Sequence, residues 1–351
     1  MTRTRLTMLL LALCALAFAP ELAAQRARVV PGADRLFGEY ARLIRGKRVA
    51  LVANHSARLA DGTHLADALA RYPGVKLRAL FGMEYDIRSN DYSLPEDPDS
   101  TIDGATGVPK YDLYYGRTHK PTPAMLAGVQ TIVVDMQDVG ARFYEHINVL
   151  GFVMEAAAEN GIDVVVLDRP NPIGGLHADG FVADSAARYG FGSFASIPVV
   201  HGLTLGELAR YYQGERLLRG GVKARLTVVP MKGWHRAMWW DGTGLPWRKP
   251  SPNLPTLEAT LAYAGTCLFE ATNLSEGRGS EAPFQEIGAP WLDNTRAATL
   301  LNDLHLAGMA FDTVTFVPER KPFHSRAPRF SGQALPGIRL RITDRESFRP
   351  V

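Results

Sequence analysis

The sequence has few cysteines and only one run of apolar residues long enough to draw notice, and both features limit the class of protein. Of its two cysteines, Cys14 lies in an N-terminal apolar run, so only Cys267 would remain if that run were removed. No internal disulfide could then form, and a chain of 351 residues with 46% hydrophobic content would be stabilised by core packing instead. No other stretch approaches the roughly 20 apolar residues that a membrane-spanning helix needs.

The N-terminal segment has the layout of a secretory signal peptide. Arg3 and Arg5 precede an apolar run at 8–18, and small residues end the segment. Residues 1–24 are therefore expected to be cleaved, leaving an exported protein, periplasmic or secreted, with no membrane span. Their removal takes away two arginines and one glutamate, so the formal net charge of +3 becomes +2. Such a small charge does not predict nucleic-acid binding.

Beyond this segment, short apolar runs rich in Val and Leu alternate with helical stretches. The runs are 47–54, 75–81, 131–138, 163–170 and 225–231, and the helical stretches are 62–72, 147–160 and 204–219. The last helical stretch opens with Thr204 and Glu207, which form a capping-box pattern. This alternation predicts an α/β fold with a Rossmann-like parallel sheet covered on both faces.

The pattern changes after about residue 245. Four prolines within 245–256 indicate an extended crossing to a second, smaller α/β domain. The predicted domains are therefore 25–245 and 246–351. The chain stops at Val351 soon after a predicted strand, which could leave the second domain truncated.

Polar residues follow the predicted strands at their carboxyl ends, where open parallel sheets bind ligands. They are Asn54, His55, Glu84, Asp135, Asp138, Arg142, Asp168, Arg169 and Asn171. Each has a structural alternative, because such residues also cap helices and brace loops. A second polar group lies in EATNLSEGRG (270–279), whose glycines would let the backbone approach a ligand. A cleft between the two domains would be lined by both groups.

Several phrases, taken in order, resemble the NamZ-type exo-β-N-acetylmuramidase family over residues 35–345. They are LFGMEYDIR (80–88), PKYDLYYG (109–116), DMQDVGARFY (135–144), LDRPNPIGG (167–175), PVVHGLTLGELA (198–209), PSPNLP (250–255), TNLSEGRG (272–279) and PFQEIGAPW (283–291). The resemblance implies a glycoside hydrolase that removes N-acetylmuramic acid from the non-reducing end of peptidoglycan fragments. It also implies a Rossmann-like domain joined to a smaller one, with the active site between them.

Glycoside cleavage needs a carboxylic acid that protonates the leaving oxygen, and usually a second carboxylate. Glu84 matches the glutamate of the family's Phe-Gly-Pro-Glu-His-Gly phrase and is expected to be the general acid. Asp138 and Glu276 are the other candidate catalytic carboxylates, although Asp138 could equally cap the helix that follows it. The residues around Glu84 depart from the family's Pro, His and Gly, and they are Met83, Tyr85 and Asp86.

Muramic acid carries a lactyl carboxylate, which a guanidinium can bind in bidentate fashion. The candidates in matching phrases are Arg88, Arg142, Arg169 and Arg278. The other candidate substrate-binding residues are Asn54, Tyr144, Asn171, His201, Asn253 and Asn273. Bracing of a loop explains His201 equally well, and turn formation explains Asn171 and Asn253 equally well.

Two other function classes remain open. A non-catalytic periplasmic protein that binds muropeptides or sugars would use the same cleft without turnover. A metal-dependent hydrolase would draw on Asp135, Asp138, His146 and His201, although no compact spacing such as HExxH occurs. GxSxG does not occur either, which weighs against serine hydrolysis. The dinucleotide-binding glycine spacing is missing, so no nucleotide cofactor is expected, and no metal is expected either. The expected partner is a muropeptide or disaccharide substrate derived from peptidoglycan, and the sequence predicts no oligomeric state.

Overall fold

The computed structural model describes residues 28–351 except 84–85, 90–100, 115–117, 191, 322–324 and 326. Its larger sheet has the strand order β3-β4-β2-β1-β5-β6-β7. The strands are β1 (Arg48–Ala53), β2 (Lys76–Gly82), β3 (Thr101–Ile102), β4 (Pro109–Asp112), β5 (Thr131–Asp135), β6 (Asp163–Leu167) and β7 (Arg225–Val229). β3 is antiparallel to β4, and the other neighbouring pairs are parallel. The predicted Rossmann-like fold class is confirmed.

The strand order reverses in the middle of this sheet. Without the short β3, the six strands lie in the order 3-2-1-4-5-6 when counted along the chain, so the reversal falls between β1 and β5. Both strands are buried, apart from the first residue of β1, because helices cover both faces. Ligands of open parallel sheets bind beyond the carboxyl ends of the strands at such a reversal.

Four of the helices pack on the two faces of the larger sheet, two on each face. The helices are α1 (Gly32–Leu36), α2 (Leu65–Arg71), α3 (His146–Glu159), α4 (Leu205–Gly214), α5 (Leu257–Thr266) and α6 (Asn294–Asp303). α3 and α4 form one core with the sheet, and α1 and α2 form the core on the opposite face. The predicted capping box is present at the start of α4, where Thr204 and Glu207 bond each other's backbone amides.

A second, smaller sheet follows the proline-rich crossing. It contains β8 (Glu286–Gly288), β9 (Met309–Phe316) and β10 (Leu335–Ile342) in the antiparallel order β8-β10-β9. A third apolar core joins the two parts of the chain, since it contains Tyr144 and Ile173 as well as Leu257, Phe284 and Phe348. Within the described residues, no helix is long and apolar enough to cross a membrane.

Candidate active site

The candidate site lies at the carboxyl ends of β1 and β5, where the strand order reverses. β1 continues directly into Asn54, His55 and Ser56, and two residues after β5 the chain reaches Gln137 and Asp138. All five residues are buried. Because a buried polar group is costly unless it has a hydrogen-bond partner, the partners of these side chains indicate their roles.

His146, the first residue of α3, connects the two strand ends. Its Nδ1 lies 3.0 Å from the backbone carbonyl oxygen of Gln137, and its Nε2 lies 3.4 Å from the side-chain nitrogen Nδ2 of Asn54. The Nδ1–H therefore donates to the carbonyl, and Nε2 accepts from the amide. Burial lowers the pKa of His146 to about 4, so the ring is neutral near pH 7. This fixed, neutral imidazole holds Asn54 in place, and the Asn54 Oδ1 accepts from the backbone amide of Ser56 at 3.1 Å.

Among the described residues, one carboxylate oxygen of Asp138 has hydrogen-bond partners and the other has none. Its Oδ2 accepts from the Gly140 amide at 2.8 Å and lies 3.3 Å from Nε2 of His201. The Leu203 amide donates to Nδ1 of that ring at 3.2 Å, so in the neutral imidazole the proton is on Nε2. This nitrogen lacks a hydrogen bond of good geometry, and the Asp138 Oδ1 has no hydrogen-bond partner among the described residues. A buried carboxylate oxygen in this state can accept a hydrogen bond from a ligand.

The proline-rich crossing packs against this end of the sheet. His55 Nε2 lies 2.8 Å from the Lys249 carbonyl oxygen, and the Tyr144 hydroxyl donates to the Pro250 carbonyl at 2.9 Å. Asn253 is buried in the same segment. The crossing that the sequence predicts as a connection between domains therefore also forms a wall of the candidate site.

All four candidate arginines for the lactyl carboxylate bind other protein groups, and two of them hold loops together. Arg88 pairs with Asp103 through Nε at 2.7 Å and Nη2 at 2.8 Å, and its Nη1 donates to Asp67 at 3.0 Å. Arg142 donates to the Ile197 carbonyl at 3.0 Å and lies 5.4 Å from the ring centroid of Phe181. Both side chains therefore hold loops together, and their substrate-binding role stays a prediction.

Arg169 forms a bidentate ion pair within the protein. Its Nε and Nη2 lie 2.5 Å and 2.8 Å from the two carboxylate oxygens of Asp135, and both residues are buried. This pair occupies one edge of the guanidinium. Nη1 makes no hydrogen bond to a described residue, so Arg169 can still donate to a ligand from that nitrogen.

The neighbouring polar residues of LDRPNPIGG have structural partners. Asp168 accepts from the Gly206 amide at 2.8 Å and from the Thr204 hydroxyl at 3.0 Å, so it caps the start of α4. Burial raises the pKa of Asp168 to about 6. Asn171 donates to the Leu203 carbonyl at 3.0 Å and accepts from an amide two residues further on. The turn-forming alternative for Asn171 is therefore realised, and its contact with substrate stays a prediction.

The loop 270–279 is attached to the smaller sheet. Ser275 exchanges two backbone hydrogen bonds with Gly288 of β8, at 2.8 Å and 3.0 Å. Gly277 has a φ of +79°, and a β-carbon at this position would lie 2.7 Å from the Glu286 carbonyl oxygen. The backbone that approaches this glycine is therefore the protein's own. Asn273, the candidate amide of the loop, is exposed.

Glu276 and Arg278 form the charged part of this loop. Burial raises the pKa of Glu276, which is 7% exposed, and Arg278 opposes that rise from 3.2 Å away. Arg278 also donates to Glu270 at 2.6 Å and lies 4.9 Å from the centroid of the Phe284 ring. A carboxyl group with a raised pKa is suited to proton transfer.

Aromatic rings connect this loop to the strand ends. Phe284 packs edge-on against Tyr263 with ring centroids 4.8 Å apart, and Tyr263 packs edge-on against Tyr144 at 6.2 Å. Tyr144 in turn lies 4.5 Å from His146, centroid to centroid. The two groups of candidate residues are therefore joined by a continuous packed layer.

Glu84, the predicted general acid, lies outside the described residues. Met83 before it is buried at the end of β2. Asp86 after it pairs with Lys110 at 2.6 Å and accepts from the Arg88 amide at 2.8 Å. Burial alone would raise the pKa of Asp86, but these hydrogen bonds lower it. Lys110 therefore balances the negative charge of Asp86, the residue that stands where the family phrase has Gly.

The four side chains of the metal-dependent alternative do not form a metal site. Asp135 is bound by Arg169, and Nδ1 of His146 is bound to a backbone carbonyl. In the part of the chain that the structure describes, no group of three His, Cys, Asp or Glu side chains could hold a metal ion.

Comparison with known proteins identifies the family. The family models described as exo-beta-N-acetylmuramidase NamZ, N-terminal and C-terminal, match residues 49–258 and 261–351. The chain belongs to the NamZ exo-β-N-acetylmuramidase family. One relative, the peptidoglycan beta-N-acetylmuramidase NamZ of Bacillus subtilis (strain 168), is 42% identical over 328 residues, which are 93% of this chain and 76% of the relative. The resemblance drawn from the sequence phrases is thus confirmed.

Two solved structures share the fold. Both are DUF1343 family proteins from Bacteroides fragilis NCTC 9343. The one determined at 1.65 Å resolution has a TM-score of 0.83 and 36% identity, covering 92% of this chain and 79% of that one. The one determined at 1.30 Å has a TM-score of 0.73 and 32% identity, covering 91% and 79%.

The sequence patterns do not single out Ser56 and Gln137, although the structure places both in the candidate site. The Ser56 hydroxyl accepts from the backbone amide of Gln137 at 3.1 Å and so ties the end of β1 to the end of β5. Their position in the sequence could have identified them, because each lies within three residues of a strand end, as do Asn54 and Asp138.

Proposed function

We propose that this chain is an exo-acting glycoside hydrolase that releases N-acetylmuramic acid from the non-reducing end of peptidoglycan fragments. The observation that carries this proposal is membership of the family, at 42% identity over 93% of the chain to a protein named as a peptidoglycan β-N-acetylmuramidase. The fold alone would not select this activity, since Rossmann-like sheets support many chemistries.

The reaction is assigned to the strand ends at the reversal between β1 and β5. In this mechanism Glu84, the residue after Met83 at the end of β2, protonates the glycosidic oxygen. Asp138 acts on the substrate through Oδ1. This oxygen can accept from an attacking water, or from the N–H of the substrate's 2-acetamido group when that group supplies the nucleophile. The second oxygen of Asp138 is held by the Gly140 amide, which supports a fixed orientation.

The smaller unit is assigned to substrate binding. Glu276 and Arg278 are joined to Tyr144 by the packed aromatic layer, which supports a cleft with walls from both parts of the chain. We further propose that residues 1–24 are a cleaved signal peptide and that the enzyme acts outside the cytoplasm. Peptidoglycan is found there, which fits the substrate.

Release of a chromophore from a β-N-acetylmuramide glycoside tests the proposal. The wild-type protein, without residues 1–24, should turn over this substrate and leave the matching N-acetylglucosaminide intact. Glu84→Gln should lower kcat by at least about 10²-fold, because it removes the proton donor. Glu215→Gln, an exposed position beyond the end of α4, is the matched control and should retain full activity.

The possible outcomes separate the enzyme from a binding protein. Binding of muramyl sugars with no turnover would replace the hydrolase with a non-catalytic binder. Turnover that persists in Glu84→Gln would remove Glu84 from the mechanism while leaving the activity in place.

A further inference from the structure

A pocket beside the strand reversal is lined by four arginines. Arg28, Arg58, Arg169 and Arg248 line a small cavity of about 30 Å³, together with Asp34. Ser56 and Gln137, which follow β1 and β5, line it too. The pocket therefore adjoins the candidate active site, because Gln137 precedes Asp138 in the chain.

The positive charge of this pocket is only partly compensated. Asp34 is the one carboxylate in its described lining. Asp135 is not part of that lining but forms an ion pair with Arg169. Arg58 donates to the backbone carbonyls of His55 and Gly62, which carry no charge. Among the described residues, the four arginines of the lining are thus accompanied by two carboxylates, one of which is already paired with Arg169.

Two of the four, Arg28 and Arg248, make no side-chain hydrogen bond or ion pair with any residue that the structure describes. Arg28 is exposed, and of the two only Arg248 is half-buried. Burial, and then the proximity of Arg58, Arg169 and Arg28, lower its pKa. Like charges held together in this way destabilise the unliganded protein, and an anion in the pocket would relieve the repulsion.

Two buried polar atoms in the lining residues also lack partners. Trp240 is 6% exposed and its indole Nε1 has no hydrogen-bond partner among the described residues. Gln137 is 2% exposed, and its Oε1 has none either. The Gln137 Nε2 donates to the carbonyls of Asp138 and Pro170, both at 2.8 Å, which fixes the orientation of the amide. The lining residues thus carry a buried unused donor and a buried unused acceptor, beside the excess positive charge.

We propose that this pocket binds the lactyl carboxylate of N-acetylmuramic acid, with Arg248 as its main charge partner and the Trp240 N–H as a second donor. This inference rests on the proposed function and deepens it. The lactyl ether at C3 of the sugar neighbours the acetamido group at C2. Gln137 lines the pocket and precedes Asp138, so a carboxylate among the arginines directs the neighbouring acetamido group toward Asp138, as the proposed reaction requires. N-acetylglucosamine has no lactyl ether, so the pocket accounts for discrimination between the two sugars.

Binding measured by calorimetry tests the assignment. N-acetylmuramic acid, N-acetylglucosamine and inorganic phosphate are titrated into the wild-type protein, Arg248→Gln and Trp240→Phe. Arg210→Gln, at an exposed position on α4, is the matched control. Arg248→Gln should weaken binding of N-acetylmuramic acid about ten- to a hundredfold, since a charge-assisted contact is lost, and leave N-acetylglucosamine unchanged. Trp240→Phe should also weaken binding of N-acetylmuramic acid, by a smaller factor.

Three results would overturn the assignment. The first is equal affinity for N-acetylmuramic acid in wild type and Arg248→Gln. The second is a loss of the same size for both sugars. The third is binding of phosphate that depends on Arg248 but does not compete with N-acetylmuramic acid. The pocket would then bind a different anion.

Turnover of the chromogenic muramide separates this inference from the proposed function. An active enzyme whose Arg248→Gln variant keeps its KM would overturn only the carboxylate subsite. An inactive protein that binds N-acetylmuramic acid through Arg248 would overturn only the hydrolase.

Discussion

Replacing His146 with glutamine should reduce the acid sensitivity of the folded protein. His146 is 2% exposed, and burial lowers its pKa from 6.5 to about 4. Glutamine can still donate to the Gln137 carbonyl and accept from the Asn54 amide, the two bonds that the imidazole makes. The substitution therefore removes a titrating group and retains similar hydrogen-bonding capacity.

The magnitude follows from the difference between the folded and unfolded pKa. As the pH falls, the unfolded chain binds a proton at His146 near pH 6.5, whereas the folded protein does so only near pH 4. The stabilisation that this histidine provides is thus present above pH 6.5 and is lost as the pH falls to 4. At about 1.4 kcal/mol per pH unit, the loss in unfolding free energy is about 3 kcal/mol.

Urea unfolding, followed by tryptophan fluorescence at several pH values between 4 and 7.5, measures this term. The unfolding free energy of wild type should fall by about 3 kcal/mol more than that of His146→Gln over this range. The raised pKa of Asp168 acts in the opposite sense and the lowered pKa of His55 in the same sense. Both residues are present in each protein, so the difference isolates His146 together with its electrostatic coupling to His55. His235→Gln, at an exposed position, controls for the loss of a histidine as such. Parallel stability curves for wild type and His146→Gln would refute the reasoning.

Three further predictions concern packing, capping and catalysis. Gly151→Ala should lower the unfolding free energy by about 1–3 kcal/mol, because a β-carbon there would lie 2.4 Å from the buried Phe194 ring; an unchanged thermal midpoint would contradict this. Thr204→Ala should cost about 1 kcal/mol by removing the cap of α4, and Thr204→Ser should restore most of it in the same denaturation assay. Asp138→Asn should lower kcat on the muramide about 10²- to 10⁴-fold with little change in the thermal midpoint, and unchanged kcat would remove Asp138 from the mechanism.

The buried polar network explains why several conspicuous residues need not touch substrate. Asp168 caps α4, and Arg169 binds Asp135, so the phrase LDRPNPIGG shapes the loops around the site. The unpartnered Oδ1 of Asp138 and the unpartnered Oε1 of Gln137 are different, because nothing in the described part of the chain satisfies them. Such atoms indicate contact with a ligand better than the presence of a charged residue in a matching phrase does.

From the sequence alone one can determine the fold class and the family. Parallel strands buried on both faces require near-continuous apolar runs, and this local pattern is readable without coordinates. The capping box at Thr204 and Glu207 is equally local, since both partners lie within one helical turn. The family phrases also identified the chain, because many short matches in one order are specific even when each is weak.

Only the tertiary structure decided which polar residues face one another. The four arginines around the pocket come from positions 28, 58, 169 and 248, and no pattern in the chain relates these positions. Arg248 and Trp240 lie outside the strand ends. Arg248 reaches the pocket because the proline-rich crossing packs against this end of the sheet, and Trp240 lies in the segment just before that crossing. Burial and hydrogen-bond satisfaction depend on all neighbours in space, so they separate an engaged arginine such as Arg88 from an uncompensated one such as Arg248.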